Sequence, residues 1–137
     1  MCKFSPESLA KLATCHPDLQ MIMNEAIKYV DFAIMEGHRD QAAQEAAYLA
    51  GNTKLHYPHG KHNAMPSNAV DIAPWPIDFQ NAKRFYYLAG LVKGIAVDLR
   101  EAGKITHDIR WGGQWNGNPD ILDEQGLVDL PHIELIT

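Results

Sequence analysis

An aspartate within an apolar segment constrains the fold of this chain more than any other feature. Asp71 lies in Ala69-Val-Asp-Ile-Ala73, where every other residue is apolar. We predict a short buried strand here, because a brief apolar run next to turn residues is typical of one. A carboxylate in such a strand is costly to bury unless a charge or hydrogen-bond donors hold it. The fold must therefore bring a metal ion, an arginine or backbone donors to Asp71.

The rest of the chain combines helices with short, irregularly spaced strands. Apolar residues recur every three to four positions in the helical segments and every two in the strands. We predict helices at 5–13, 17–30, 40–50 and 79–102, strands at 32–36, 69–73, 109–111 and 133–136, a loop at 52–68 and a turn at 112–119. This order lacks a regular βαβ rhythm and indicates an α+β fold. Gly90 and Gly94 interrupt the longest helix, and we interpret them as the place where another element crosses closely.

Length and charge exclude several classes of protein. The chain has 137 residues, which is the usual length of one domain, so we predict a single domain over 1–137. The net charge is -5 and the Lys and Arg residues are scattered, which argues against nucleic-acid binding. No apolar run approaches a membrane span, so we expect no stable membrane association, and we expect a monomer. The N-terminus shows no apolar signal-peptide core, which predicts synthesis in the cytoplasm.

Histidines and carboxylates lie beside the Asp71 strand and the last strand. A catalytic zinc site needs three protein ligands, an open position for water and a carboxylate that takes a proton from that water. His62 precedes the Asp71 strand, His132 opens the last strand, and Asp129 lies three residues earlier. His62, Asp71 and His132 are therefore candidate ligands, with Asp129 as the candidate base. Glu134 falls on the same strand face as His132 and could orient its imidazole.

Each of these residues also has an ordinary structural interpretation. An aspartate in an apolar strand can bind backbone groups or an arginine. A histidine at the start of a strand is often a partly exposed polar residue, and Asp129 alone is typical of a turn. The spacing is also looser than a sharp motif such as H-E-x-x-H. The residues alone therefore do not decide whether the chain has a metal site.

Four sequence blocks, taken in order, resemble a known family. The blocks are Gly37-His-Arg39, Gly60-Lys-His62 with Ala69-Val-Asp71-Ile-Ala-Pro74, Arg110-Trp-Gly-Gly-x-Trp115, and Asp129-x-x-His132-x-Glu134. They are similar to those of the zinc peptidases that include D-Ala-D-Ala carboxypeptidases, vancomycin-resistance dipeptidases and the L-alanyl-D-glutamate endopeptidases of phage endolysins. The resemblance runs over nearly the whole chain and is greatest to the phage endolysin branch.

The resemblance implies roles for five residues. His62, Asp71 and His132 would bind one zinc ion per chain. Asp129 would be the general base, and Arg39 would contact the substrate and the developing oxyanion. The implied fold is the Hedgehog/DD-peptidase α+β fold, in which helices flank a small antiparallel sheet.

Two departures from the family pattern concern the loop and the third block. The interval from His62 to Asp71 is two residues longer than the family's commonest spacing, with Pro66-Ser67 in the extra length. This leaves the shape of the loop open without changing the candidate ligands. Gln114 stands where an aspartate is common, so we assign it no role.

Further polar and aromatic residues are candidates for supporting positions. Gln44, five residues after Arg39, is a candidate to orient that arginine or the substrate. Arg110 is expected to support the site by hydrogen bonding, the alternative being a surface salt bridge. We interpret His56 and His59 as loop residues, because no acid is near them in the sequence. Trp75, Trp111 and Trp115 are candidates for the wall of a substrate groove. Trp111 is equally suited to the core.

The implied function is a peptidoglycan endopeptidase that cuts between L-Ala and D-Glu of the stem peptide. Such a lysin would act on the periplasmic cell wall, reached through a membrane pore made by a second phage protein. A D-Ala-D-Ala carboxypeptidase or dipeptidase of the same fold is the alternative within the family. A zinc-containing binding module without catalysis is an alternative of another class, and the presence of Asp129 argues against it.

Overall fold

In the described part of the chain, two helices precede the first strand, two strands follow the last helix, and four strands form one sheet. The structure, a computed structural model, describes residues 2–116 and 128–137. Its helices are α1 (Pro6–Leu12), α2 (Pro17–Ala26), α3 (Gln41–Leu49) and α4 (Ala82–Glu101), and its strands are β1 (Phe32–Glu36), β2 (Ala69–Pro74), β3 (Ile109–Trp111) and β4 (His132–Leu135). The predicted positions of these elements are confirmed to within a few residues. Residues 117–119 of the predicted turn lie outside the described residues.

Helices α1 and α3 begin directly after residues whose side chains cap them. Ser5 accepts a hydrogen bond from the Ser8 backbone N–H (3.1 Å), and proline follows at the first helical position. Asp40 caps α3 in the same way through the Ala43 N–H (2.8 Å). Local side-chain chemistry therefore determines these starts.

The strands pair antiparallel in the order β1-β2-β4-β3. This confirms the prediction of an α+β fold with a small antiparallel sheet. The core lies where helices α2 and α4 pack and where α4 meets the sheet. Its fully buried members include apolar side chains of the helices and strands: Leu19, Ile22, Met23, Ile34, Val70, Leu88, Val92, Ile133 and Leu135. Among the described residues, no helix has the length and apolar character needed to cross a membrane.

The interpretation of Gly90 and Gly94 as a close crossing point is wrong. A Cβ atom added at either glycine would meet no atom within 4 Å. Both residues are on the exposed side of α4, opposite the face that packs into the core. Sequence shows the conformational cost of a helical glycine, but it does not show what faces that glycine.

The register of the sheet sets which polar side chains share a face. Asp71 pairs with Glu36 of β1 on one side and with His132 of β4 on the other. In the same way, Glu134 of β4 pairs with Arg110 of β3. Directly opposed residues of antiparallel strands point to the same face. The sheet therefore carries rows of ionisable side chains across neighbouring strands.

Candidate metal centre

Two imidazoles converge on one carboxylate oxygen where the middle of β2 pairs with the start of β4. Nε2 of His62 lies 3.1 Å from Oδ1 of Asp71, and Nδ1 of His132 lies 3.2 Å from the same oxygen. One potential ligand atom from each of the three residues lies within 4.8 Å of the others. His62 is 3% exposed and His132 is 8% exposed, so bulk water does not separate the three groups. The structure thus brings together the three candidate ligands.

The other nitrogen of each imidazole is bound to an acceptor. Nδ1 of His62 lies 2.7 Å from the Gly37 carbonyl, and Nε2 of His132 lies 2.9 Å from Oε1 of Glu134. When both rings are neutral, these nitrogens carry the protons and donate them, which leaves two lone pairs directed at Asp71. Three hydrogen-bond acceptors, Nε2 of His62, Nδ1 of His132 and Oδ1 of Asp71, then face one another with no hydrogen atom between them. Such an arrangement needs protons or a cation, and the donor set of two imidazoles and a carboxylate suits a divalent metal such as zinc.

A chain of ion pairs extends behind His132. Glu134 accepts a hydrogen bond from Nη2 of Arg110 (2.9 Å) on one oxygen and contacts His132 with the other. Burial acts to raise the pKa of Glu134, but its hydrogen bonds with His132 and Arg110 outweigh burial and lower it. An ionised Glu134 holds the His132 ring in one orientation, and Arg110 holds Glu134.

The ionisable groups shift one another's pKa strongly. Burial acts to raise the pKa of Asp71, yet hydrogen bonds with His132 and His62 hold it well below its ordinary range. Burial acts to lower the pKa of His132, yet hydrogen bonds with Asp71 and Glu134 raise it to about 9 in the metal-free protein. The cluster therefore favours an ionised carboxylate together with positive charge.

Asp129 is positioned through its backbone. Its N–H donates to the Gly112 carbonyl (2.9 Å), and its own carbonyl accepts from the His132 N–H (3.1 Å). A Cβ atom at Gly112 would lie 2.1 Å from the Asp129 carbonyl oxygen, so only glycine permits this approach. Burial and the charge of Asp71 raise the pKa of the Asp129 carboxyl above its ordinary value. Asp129 is therefore a carboxylate of increased basicity beside the cluster.

Arg39 lies beside the cluster in a network of side-chain hydrogen bonds. Its Nε and Nη2 donate to the two oxygens of Glu36 (2.9 and 2.7 Å), and its Nη1 donates to Oε1 of Gln44 (2.9 Å). Hydrogen bonding with Glu36 raises the pKa of Arg39. Nη2 of Arg39 lies 4.0 Å from Oδ2 of Asp71. Arg39 therefore adjoins the candidate ligand without being hydrogen-bonded to it.

Gln44 is a buried link between Arg39 and the loop that follows α3. It is 0% exposed, and its amide donates to the Leu55 carbonyl (2.6 Å). Nδ2 of Asn63 donates to Oε1 of Gln44 and to the Arg39 carbonyl (both 3.0 Å). Sequence reasoning missed Glu36 and Asn63. The available signals were the position of Glu36 three residues before Arg39 and that of Asn63 directly after His62.

Two cavities meet at this site. The larger, about 750 Å³, is lined by Glu36, Arg39, Asp71, Phe79 and Asp129 among others. The smaller, about 190 Å³, is lined by Arg39, Gln44, His62, Trp115, Asp129 and His132 among others. Both are lined by Arg39 and Asp129, so a ligand in either cavity would meet these two side chains.

The remaining histidine and tryptophan candidates lie in several environments. His56 is a loop residue, as predicted, and Nδ1 of its ring lies 2.8 Å from Oε2 of Glu45, an acid 11 positions earlier in the chain that the fold of α3 and its following loop brings near. The Trp115 ring lies 5.5 Å from that of His132 and lines the smaller cavity. Nε1 of Trp111 donates to the Leu130 carbonyl (2.7 Å), while Trp75 lines a separate cavity beside Phe32.

A second cluster of two histidines and an aspartate, His16, Asp18 and His107, has hydrogen-bond partners within the protein. Nδ1 of His16 accepts from the Asp18 N–H (2.9 Å) and caps α2. Oδ2 of Asp18 accepts from the backbone N–H of Thr106 (3.0 Å) and lies 2.8 Å from Nδ1 of His107. In this cluster backbone N–H groups donate to Nδ1 of His16 and to Oδ2 of Asp18, whereas in the His62 cluster neutral imidazoles would direct lone pairs at the carboxylate. This cluster joins the start of α2 to the segment after α4.

Comparison with known proteins identifies relatives over nearly the full length. The family model for the phage L-alanyl-D-glutamate peptidase matches residues 1–136. The L-alanyl-D-glutamate peptidase of Escherichia phage T5 is 30% identical over 142 aligned positions, which cover 98% of both chains. The crystal structure of the Serratia marcescens L-Ala D-Glu endopeptidase ChiX superposes with a TM-score of 0.72 at 26% identity, covering 98% of this chain and 90% of that one. This chain belongs to the phage L-alanyl-D-glutamate peptidase family.

Proposed function

We propose that this protein is a zinc-dependent peptidoglycan endopeptidase that hydrolyses the L-Ala–D-Glu bond of the stem peptide, as a phage endolysin. The observation that carries the proposal is the convergence of Nε2 of His62, Nδ1 of His132 and Oδ1 of Asp71 at 3.1–3.2 Å in a chain of this family. Two relatives that cover nearly the whole chain are named for the same peptidase activity. We also propose a single catalytic domain over residues 1–137, of the Hedgehog/DD-peptidase fold, acting as a monomer on the cell wall.

His62, Asp71 and His132 are the proposed ligands of one zinc ion. When bound, zinc supplies a Lewis acid that lowers the pKa of a coordinated water and polarises the scissile carbonyl. Glu134, supported by Arg110, orients His132 through a hydrogen bond of 2.9 Å. The Gly37 carbonyl does the same for His62 at 2.7 Å.

Asp129 is the proposed general base. Its raised pKa favours accepting the proton of the attacking water, which adds to the carbonyl carbon of L-Ala. As the C–N bond breaks, Asp129 returns that proton to the amine of D-Glu. The proton removed from water thus leaves on the departing amine, and Asp129 is regenerated as a carboxylate.

Arg39 is proposed to bind an anionic oxygen of the substrate. A guanidinium has five N–H donors, and Glu36 and Gln44 use three of them. The other two, one on each terminal nitrogen, can meet the charge that develops on the carbonyl oxygen or the α-carboxylate of γ-linked D-Glu. We propose that Gln44 supports this arginine rather than the chemistry itself.

Digestion of purified peptidoglycan by the zinc-loaded protein tests the function. Mass spectrometry should find new N-terminal D-Glu and L-Ala left on the muramyl side. Release of free D-Ala without new D-Glu termini would assign the protein to the D-Ala-D-Ala carboxypeptidases instead. Tight binding to peptidoglycan without hydrolysis would indicate a non-catalytic zinc module.

A further inference from the structure

A register shift in β1 brings a second carboxylate to the face of Asp71. Ile34 pairs with Ile72, and the next pair along the strands is Glu36 with Asp71, so Met35 is an extra residue. In an uninterrupted antiparallel ladder, Met35 would oppose Asp71 and Glu36 would point to the other face. Bulges of this kind re-aim side chains and recur beside active sites. Glu36 accordingly lines the same cavity as Asp71.

Glu36 holds Arg39 with both carboxylate oxygens. The two hydrogen bonds, of 2.9 and 2.7 Å, form a bidentate pair that fixes the plane of the guanidinium. The Arg39 side chain is only 12% exposed and that of Glu36 is 35% exposed, so the pair is less screened than a surface ion pair. Gln44 contacts the remaining nitrogen from the buried side. The guanidinium is therefore held from two directions.

A freely moving Arg39 would have an alternative partner. Its Nη2 lies 4.0 Å from Oδ2 of Asp71, so a small rotation would bring the arginine onto this carboxylate. The N–H donors of Arg39 would then bind Asp71 rather than a ligand in the cavity.

We propose that Glu36, which the β1 bulge places on the same face as Asp71, is a positioning residue for Arg39. It holds Arg39 away from Asp71, so that the two remaining N–H donors of Arg39 face an anionic oxygen of the substrate. This inference rests on the proposed peptidase function. Glu36 acts only through Arg39 and takes no part in proton transfer or metal binding.

The test is a double-mutant cycle between Glu36→Gln and Arg39→Ala in the zinc-saturated enzyme. Glutamine keeps the size of the side chain but cannot form the charged bidentate pair. Glu36→Gln alone should lower kcat/KM for peptidoglycan fragments by about tenfold. In the Arg39→Ala background, the same change should have less than about a twofold effect, because the residue through which it acts is gone.

A second readout does not depend on activity. In ¹H–¹⁵N spectra, the Arg39 Nε–H signal should exchange slowly with water in the wild type and faster in Glu36→Gln, because that N–H donates to Glu36. The matched control is Glu25→Gln, which removes a pair at the same i,i+3 spacing (2.9 Å) with Lys28, a more exposed cation than Arg39, and should change neither readout.

Three outcomes would overturn the inference: full activity in Glu36→Gln, equal losses in both backgrounds, or an unchanged Arg39 signal. Wild-type protein that fails to release N-terminal D-Glu would contradict the proposed function instead. The two failures are thus distinguished by the wild-type digestion and by the spectra.

Discussion

Asp71 and His132 oppose each other directly across β2 and β4, with Oδ1 of the aspartate 3.2 Å from Nδ1 of the histidine. The pairing places both side chains on one face of the sheet, so backbone register rather than loop conformation determines their separation. His62 reaches the same oxygen from the preceding loop, where the Gly37 carbonyl holds its ring. Two of the three proposed ligands therefore lie on directly paired strands of the sheet.

The first prediction separates the proposed ligand from the proposed base. Asp71→Ala should lose zinc, because it removes the oxygen on which both imidazoles converge. Asp129→Asn should retain about one zinc per chain and lose turnover by about a hundredfold or more, the usual contribution of a general base. Metal analysis and kcat on the same preparations check both parts. If Asp129→Asn lost zinc while Asp71→Ala kept it, the two roles would be exchanged.

The second prediction concerns the residue behind His132. Glu134→Gln removes the charge that accepts from His132 and pairs with Arg110, so zinc affinity should fall by about 10- to 100-fold. Competition with a chromogenic chelator measures this. Glu25→Gln, which changes a half-exposed acid on α2 that pairs with Lys28, is the control and should bind zinc as the wild type does. Unchanged affinity in Glu134→Gln would remove Glu134 from the site.

The third prediction follows from the raised pKa of His132. In the metal-free protein this pKa is about 9, so the ring is protonated at pH 7. Zinc binds neutral imidazole, and binding at pH 7 should therefore release at least about one proton per chain. Zinc affinity should rise with pH up to about 9, where the metal-free ring loses its proton. Calorimetry in buffers of different ionisation enthalpy measures the proton count, and a value near zero would contradict the assignment of His132.

Sequence patterns predicted most of the fold because its elements carry local signals. Ser5 and Asp40 cap helices through contacts within three residues, Pro6 follows Ser5 at the first helical position, and the residues around Asp71 in its strand are apolar. The predicted ligands also adjoin strands, so their neighbourhoods were recognisable. What sequence could not provide was the register between strands distant along the chain.

Glu36 and Arg110 show this limit. The bulge at Met35 breaks the period of two on which strand prediction depends, and nothing local marks it. The contact of Arg110 with Glu134 joins residues 24 positions apart and depends on the pairing of β3 with β4. Gly112 was matched as part of a motif, yet its physical reason, the approach of Asp129, is visible only in three dimensions.

The fourth prediction uses the corrected environment of Gly90 and Gly94. Both are helical, both lie on the exposed side of α4, and a Cβ atom at either would meet open space. Gly→Ala at each position should raise the free energy of unfolding by about 0.5–1 kcal/mol, because alanine lowers the entropy of the unfolded chain. Denaturant unfolding of the metal-free variants measures this. Destabilisation would restore the interpretation of a close crossing.

The fifth prediction concerns Gly112 and tests whether its lack of a side chain positions the base. In Gly112→Ala the new Cβ would lie 2.1 Å from the Asp129 carbonyl oxygen, which is backbone and cannot rotate away. The segment must shift, and the Asp129 carboxylate moves with it. Since general-base catalysis needs hydrogen-bond reach, kcat should fall by at least about tenfold.

Gly94→Ala is the matched control for this change, because it makes the same substitution where no atom lies within 4 Å. It should retain wild-type kcat. The His132 N–H donates to the carbonyl that must move, so zinc content and affinity are measured in parallel. A Gly112→Ala variant with normal kcat would show that the chain absorbs the methyl group without displacing Asp129, or that Asp129 is not the base. The Asp129→Asn variant distinguishes these two, because it leaves Gly112 in place and removes only the carboxylate.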